Sequence, residues 1–219
     1  MNDVVTPPPS HAATRDPSAR PLIKRTLVLW TGIGLIVLGV AAFAVYWRFS
    51  TYHLETVDQG KLYRSGLQSF REFQNGVRQV KAKTIVSLVD DNEIVDEEKP
   101  QFGTELATYA DANKGVTVVR VPIKLGGWPE GDEVERFLAV AQDPAKQPVL
   151  VHCAQGVRRT GMMAAAYQLT VLGYDKERVK RELPTFGHSD RTVGDIKRFV
   201  DAYDPQARRM KTALPQSKE

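Results

Sequence analysis

Val149-Leu150-Val151-His152-Cys153-Ala154-Gln155-Gly156-Val157-Arg158-Arg159-Thr160-Gly161 is the stretch that decides the fold. Its short apolar start, rich in β-branched residues, predicts a buried strand over Val149–His152. Gly156 bends the segment from Ala154 to Arg159, because glycine takes backbone angles closed to other residues. A helix is expected from Thr160 to about Leu172, stopped by Gly173. Strand, tight loop and helix in that order place Cys153 at the carboxyl end of a strand, where open α/β sheets bind ligands.

The same grammar extends in both directions. Residues 54–63 suggest a short strand and a turn at Gly60. Phe70, Phe73, Val77 and Val80 recur at helical spacing. Strands are expected at Thr84–Val89 and Val116–Val121, with a helix between them over Glu97–Ala112. Further helices fit Asp132–Ala141, 175–183 and 191–203. Alternating strands and helices imply an α/β fold, a parallel or mixed sheet covered on both faces. The domain so defined covers residues 51–204, and 205–219 read as a polar tail.

Residues 1–25, with Pro7-Pro8-Pro9 and few large apolar side chains, are expected to be disordered. Residues 26–47 then run without a charge. As a helix they span roughly 33 Å, enough for a hydrocarbon core, with Trp30, Tyr46 and Trp47 at interfacial positions. The segment is read as an uncleaved single-pass membrane anchor. A signal peptide cut near Ala42-Phe43-Ala44 is the competing reading. Four Lys/Arg in residues 11–25 against two in residues 48–62 favour a cytoplasmic amino terminus and a domain outside.

Of the net charge of +4, two units precede residue 48; the remainder carries 26 basic and 24 acidic residues. A nucleic-acid binder needs a basic excess that this balance lacks. Cys153 is the one cysteine, so an intrachain disulfide and cysteine-only zinc sites are excluded.

The chemistry follows from the loop. The N–H groups of Ala154, Gln155, Gly156, Val157 and Arg158 can converge on one point, an anion nest at which the next helix dipole also aims. That environment favours a phosphate and equally a thiolate, so Cys153 is expected to be more acidic than a free thiol and to act as an in-line nucleophile. Arg159 can grip two phosphoryl oxygens with its planar fork. Thr160 can assist sulfur as a leaving group. Arg158 is read as extra positive potential at the pocket mouth or as a solvated charge, His152 as tuning the thiolate or as a core histidine, and Arg64, in a turn formed by Tyr63-Arg64-Ser65-Gly66, as pairing with a helix carboxylate or steadying the loop.

His-Cys-x5-Arg-Thr is the signature of the cysteine-dependent protein tyrosine phosphatases, and this chain resembles their atypical dual-specificity branch. Gly60-Lys61-Leu62-Tyr63-Arg64-Ser65-Gly66, TIVSLV, VRVPI, the loop and RTVGDIKRFVDAYD come in the order of that family. The resemblance implies a phosphocysteine intermediate on Cys153, later hydrolysed by water, with no metal and no other cofactor. Its implied partners are phosphorylated proteins or small phosphomonoesters. Cys-x5-Arg alone arises roughly once in twenty by chance; the full motif arises on the order of once in 10^5.

The family also implies a general acid, usually an Asp about thirty residues before the cysteine. Val121–Leu125 holds no carboxylate. Asp132, with Glu130 behind it, is the expected acid, on a glycine-rich loop read as mobile; Asp90 and Asp91 are reserves. Rival functions are an inositol-phosphate or phosphoinositide phosphatase, a non-catalytic phosphate-binding pseudophosphatase and a rhodanese-like sulfurtransferase.

Overall fold

A computed structural model describes residues 22–111 and 115–211. Most of the expected disordered tail, and residues 212–219, lie outside the described residues. The chain divides into two units, residues 1–47 and the body from Arg48 onward.

The first unit holds helix α1 (Leu22–Phe49), which continues into the second. From Val28 to Phe49 it is long and apolar enough to cross a membrane, with mean hydropathy 2.4 and none of the span buried. A signal sequence has the same properties.

The body is built on a five-stranded sheet ordered β1-β2-β5-β3-β4. These strands are β1 (Glu55–Asp58), β2 (Leu62–Gly66), β3 (Thr84–Ser87), β4 (Thr117–Arg120) and β5 (Val149–Cys153). β1 pairs antiparallel with β2 and the other pairs are parallel, so the sheet is mixed. β5 lies in the middle and is buried along its length, which explains its unbroken apolar run.

Pleating divides the core in two. Val149, Val151, Leu62 and Val86 face α5 (Gly131–Gln142), α6 (Arg158–Thr170) and α8 (Asp190–Ala202). Leu150 and Ile85 face α2 (Phe70–Val80) and α4 (Pro100–Tyr109) through Phe73, Val77 and Phe102. The two remaining helices among the described residues are α3 (Asp91–Ile94) and α7 (Lys176–Arg181).

That division positions the site. The chain leaving β2 or β3 turns toward the α2 and α4 face, whereas the chain leaving β5 turns toward the α6 face. The connections diverge, and a crevice opens at the carboxyl ends of the strands.

Three differences from expectation have local causes. Tyr63-Arg64-Ser65-Gly66, expected in a turn region, belongs to strand β2. The helix expected from Glu97 starts at Pro100, whose fixed φ and missing N–H suit a first helical position. The expected polar tail contains β7 (Arg209–Met210), paired with β6 (Tyr203–Asp204).

Candidate active site

Cys153 ends β5 and is 3% exposed. Its Sγ accepts the Gly156 N–H at 3.2 Å. Burial alone would push this thiol up. The Arg159 charge, the Thr160 hydroxyl and the N–H groups of Thr160 and Gly156 oppose burial, and the pKa ends below the ordinary thiol value. The Thr160 hydroxyl is buried without an ideally directed hydrogen bond, yet lies near enough to the sulfur to favour the thiolate.

The nest is held open from behind. A trans peptide points its C=O and N–H in opposite directions, so a carbonyl pinned outward turns the next N–H inward. Leu67 N–H meets the carbonyls of Cys153 and Ala154 at 3.1 and 2.8 Å. Nη2 of Arg64 donates to the carbonyls of Gly156 and Val157 at 2.7 and 3.2 Å. Arg64 is buried and its pKa falls to about 10, chiefly through desolvation. Gly156 sits at φ +72°, and a Cβ there would lie 2.4 Å from the Ser65 carbonyl. A Cβ on Gly66 would lie 2.6 Å from Gln155 in the same way, so strand and loop meet backbone to backbone.

Arg159 is buried beside the nest. Nη1 donates to the carbonyls of Leu88 (3.3 Å) and Ile123 (3.1 Å). Both guanidinium ends also meet Glu93, Nη1 to Oε2 at 2.5 Å and Nη2 to Oε1 at 3.0 Å. Burial of Glu93 would raise its pKa; the Arg159 bonds, the Arg159 charge and the Asp90 N–H overcome this and lower it. Glu93 is held by a capping box with Asp90 in α3. This partner was missed from sequence.

A cavity of about 440 Å³ opens over Cys153, lined also by Gln68, Glu93, Glu98, Lys99, Gln101, Phe102, Leu125, Ala154, Gln155, Arg158 and Arg159. Cys153, Ala154, Gln155, Arg158 and Arg159 are thus brought together as expected residues of one site. Gly156 and Val157 lie behind this lining and contribute backbone.

Arg158 is no freely solvated charge. Its Nε meets Asp195 at 2.8 Å, and its Nη atoms meet the carbonyls of Gly127 (2.6 Å) and Gly126 (3.2 Å). It also lies 4.8 Å over the Trp128 ring. The glycine-rich loop expected to be mobile is therefore tied to the phosphate loop and to α8.

Asp132 is not brought to the cavity. It is exposed in the first turn of α5, where a carboxylate complements the helix dipole. Glu130 is the N-cap of that helix, in a capping box with Glu133. His152 points away from the sulfur; its Nε2 lies 2.8 Å from Glu105 in the core.

Comparison with known proteins agrees with this geometry. A family model described as "DSP-PTPase phosphatase fused to NAD+ Kinase" matches residues 44–199. The dual specificity protein phosphatase TpbA of Pseudomonas aeruginosa is 29% identical over 154 residues, 69% of this chain; the match spans 63% of that relative's length. NAD kinase 2 of Arabidopsis thaliana is 32% identical over 76 residues, 35% of this chain and 7% of that protein. In fold, the body resembles the catalytic core of the PP-IP phosphatase Siw14 of S. cerevisiae, with a TM-score of 0.55 and 21% identity over 71% of this chain and 87% of that one. The TpbA crystal structure gives a TM-score of 0.53 and 24% identity, over 71% and 88%. The chain belongs to the DSP-PTPase phosphatase family that also occurs fused to NAD+ kinase, an atypical dual-specificity branch of the cysteine-dependent protein tyrosine phosphatases.

Proposed function

We propose that the chain is a membrane-anchored phosphatase that hydrolyses phosphate monoesters of tyrosine or dual-specificity type. The observation that carries this reading is that Cys153 lines the same cavity as Arg159, whose guanidinium Glu93 aligns. The thiolate attacks phosphorus in line, and the bond to the ester oxygen breaks as the sulfur–phosphorus bond forms. The nest amides and Arg159 hold the three other phosphoryl oxygens. Water then cleaves the sulfur–phosphorus bond, releasing phosphate and the thiolate, with Thr160 easing the departure of sulfur.

The leaving oxygen needs a proton. Of the two carboxylates lining the cavity, Glu93 is committed to Arg159. Glu98, exposed at the mouth, is therefore assigned the acid role in preference to Asp132.

Turnover of p-nitrophenyl phosphate by the full chain in detergent, abolished in Cys153→Ser, tests the enzymatic reading. Phosphopeptide binding without turnover makes the protein a binder instead. Lys99, which lines the cavity together with Arg158 and Arg159, favours a second reading, a polyphosphorylated inositol substrate. The yeast Siw14 protein is a PP-IP phosphatase, and turnover of inositol phosphates in preference to phosphotyrosine peptides decides for that reading. α1 supports anchoring by length and composition; partition of the full chain into membranes, with its amino terminus retained, checks it.

A further inference from the structure

Between α1 and β1 the chain runs close along α2. Gln79 Nε2 donates to the Phe49 carbonyl at 2.7 Å, Asn75 Nδ2 to the Ser50 carbonyl at 2.9 Å, and Arg71 Nη1 to the Ser50 hydroxyl at 2.9 Å. Residues 71, 75 and 79 are spaced by four, so one helix face holds this strap. The Tyr52 carbonyl then accepts the N–H of Gly66 at 3.0 Å, bringing the strap to the end of β2 beside the phosphate loop.

His53 completes the contact. Its ring stacks between Tyr52 (centroids 3.9 Å apart) and Phe186 (4.4 Å). Its Nδ1 lies 2.7 Å from the carbonyl oxygen of Gln155. A carbonyl only accepts, so Nδ1 carries a proton and donates. The peptide whose oxygen His53 holds is the one whose N–H, on Gly156, reaches Cys153 Sγ. Arg64 and Leu67 pin the neighbouring carbonyls, and Gln155 takes its outward bond from the strap.

We infer that His53 is a positioning residue of the phosphate loop, fixing the Gln155–Gly156 peptide so that its N–H faces the Cys153 thiolate and the bound oxyanion. The inference rests on Cys153 being the nucleophile. It makes the segment following the apolar helix part of the site. Gly156, with no side chain to resist rotation, is where such a clamp has most effect.

The test crosses two properties of His53. His53→Asn keeps a donor, and Asn tolerates the φ of +51° found there. His53→Phe keeps the stacked ring and loses the donor; His53→Ala, lacking both, serves if the Phe variant does not fold. The readouts, on the full chain in detergent, are the pH midpoint of Cys153 alkylation by iodoacetamide and kcat/KM for p-nitrophenyl phosphate. Loss of the donor is expected to raise the midpoint and to lower kcat/KM about fivefold, the worth of one neutral hydrogen bond, while Asn stays near wild type. An unmoved midpoint in the donor-less variants, or a loss confined to Asn, overturns the inference. Alkylation needs no turnover. An inert protein whose midpoint still depends on His53 would reject the phosphatase reading and keep the clamp; turnover with an unmoved midpoint would do the reverse.

Discussion

Arg159 and Glu93 meet fork to fork, 2.5 Å and 3.0 Å apart on the two sides, with both side chains buried. The pair joins α3 to the first turn of α6, the helices that follow the neighbouring strands β3 and β5. Its first consequence is orientation: an arginine held at both ends has little freedom left to lose when an oxyanion arrives.

Glu93→Gln should therefore affect both stability and rate. Breaking a buried pair from one side costs about 3 kcal/mol or more, which for a body of this size lowers Tm by roughly 10 °C. kcat/KM for an aryl phosphate should fall at least tenfold. Calorimetry and steady-state kinetics on the same sample check both; an unchanged rate would show that Arg159 needs no alignment.

The lowered pKa of Cys153 makes stability depend on pH with a definite sign. Between the folded pKa and the higher unfolded value, the unfolded chain binds more protons, so stability rises with pH. The contribution is complete above the unfolded thiol value and is lost as pH falls through the folded one. Cys153→Ser removes the titration. Wild type should gain on the serine variant as pH rises through that window, and a constant difference in denaturation midpoints would contradict the thiolate.

The acid assignment separates by leaving group. Phenolates leave readily and alkoxides do not, so loss of the acid weighs more on alkyl phosphates. Glu98→Gln should slow phosphoserine peptides more than p-nitrophenyl phosphate, and Asp132→Asn should leave both near wild type. The opposite pattern would return the role to Asp132.

Arg158 ties the loop at Gly126-Gly127-Trp128 to α8 through Asp195, which also pairs with Arg198. Asp195→Asn should loosen this tie. Amide exchange at residues 126–128 should quicken, and KM should rise more than kcat falls. Unchanged exchange would mean that the Gly126 and Gly127 carbonyls suffice to hold Arg158.

What the chain reveals before folding is uneven, for physical reasons. The segment Val149–Gly161 was legible because strand, glycine loop and helix follow one another and all nest donors lie within it. Glu93 was not: a four-residue helix shows no hydrophobic period, and its pairing with Arg159 depends on β3 and β5 becoming neighbours. Tyr63-Arg64-Ser65-Gly66 reads as polar and turn-like, since Arg64 and Ser65 are buried polar residues within a strand and Arg64 serves the loop opposite. Arg158 resembles any exposed arginine until α8 brings Asp195 beside it. His53 lies 102 positions from the carbonyl it holds, with no local pattern to mark it.

The abutting main chains of Gly66 and Gly156 carry an implication for engineering. With no room for a methyl group on either side, the nest cannot be transplanted as a contiguous peptide. A designer moving this chemistry to another scaffold must move the adjacent strand terminus with it, as one interlocked part.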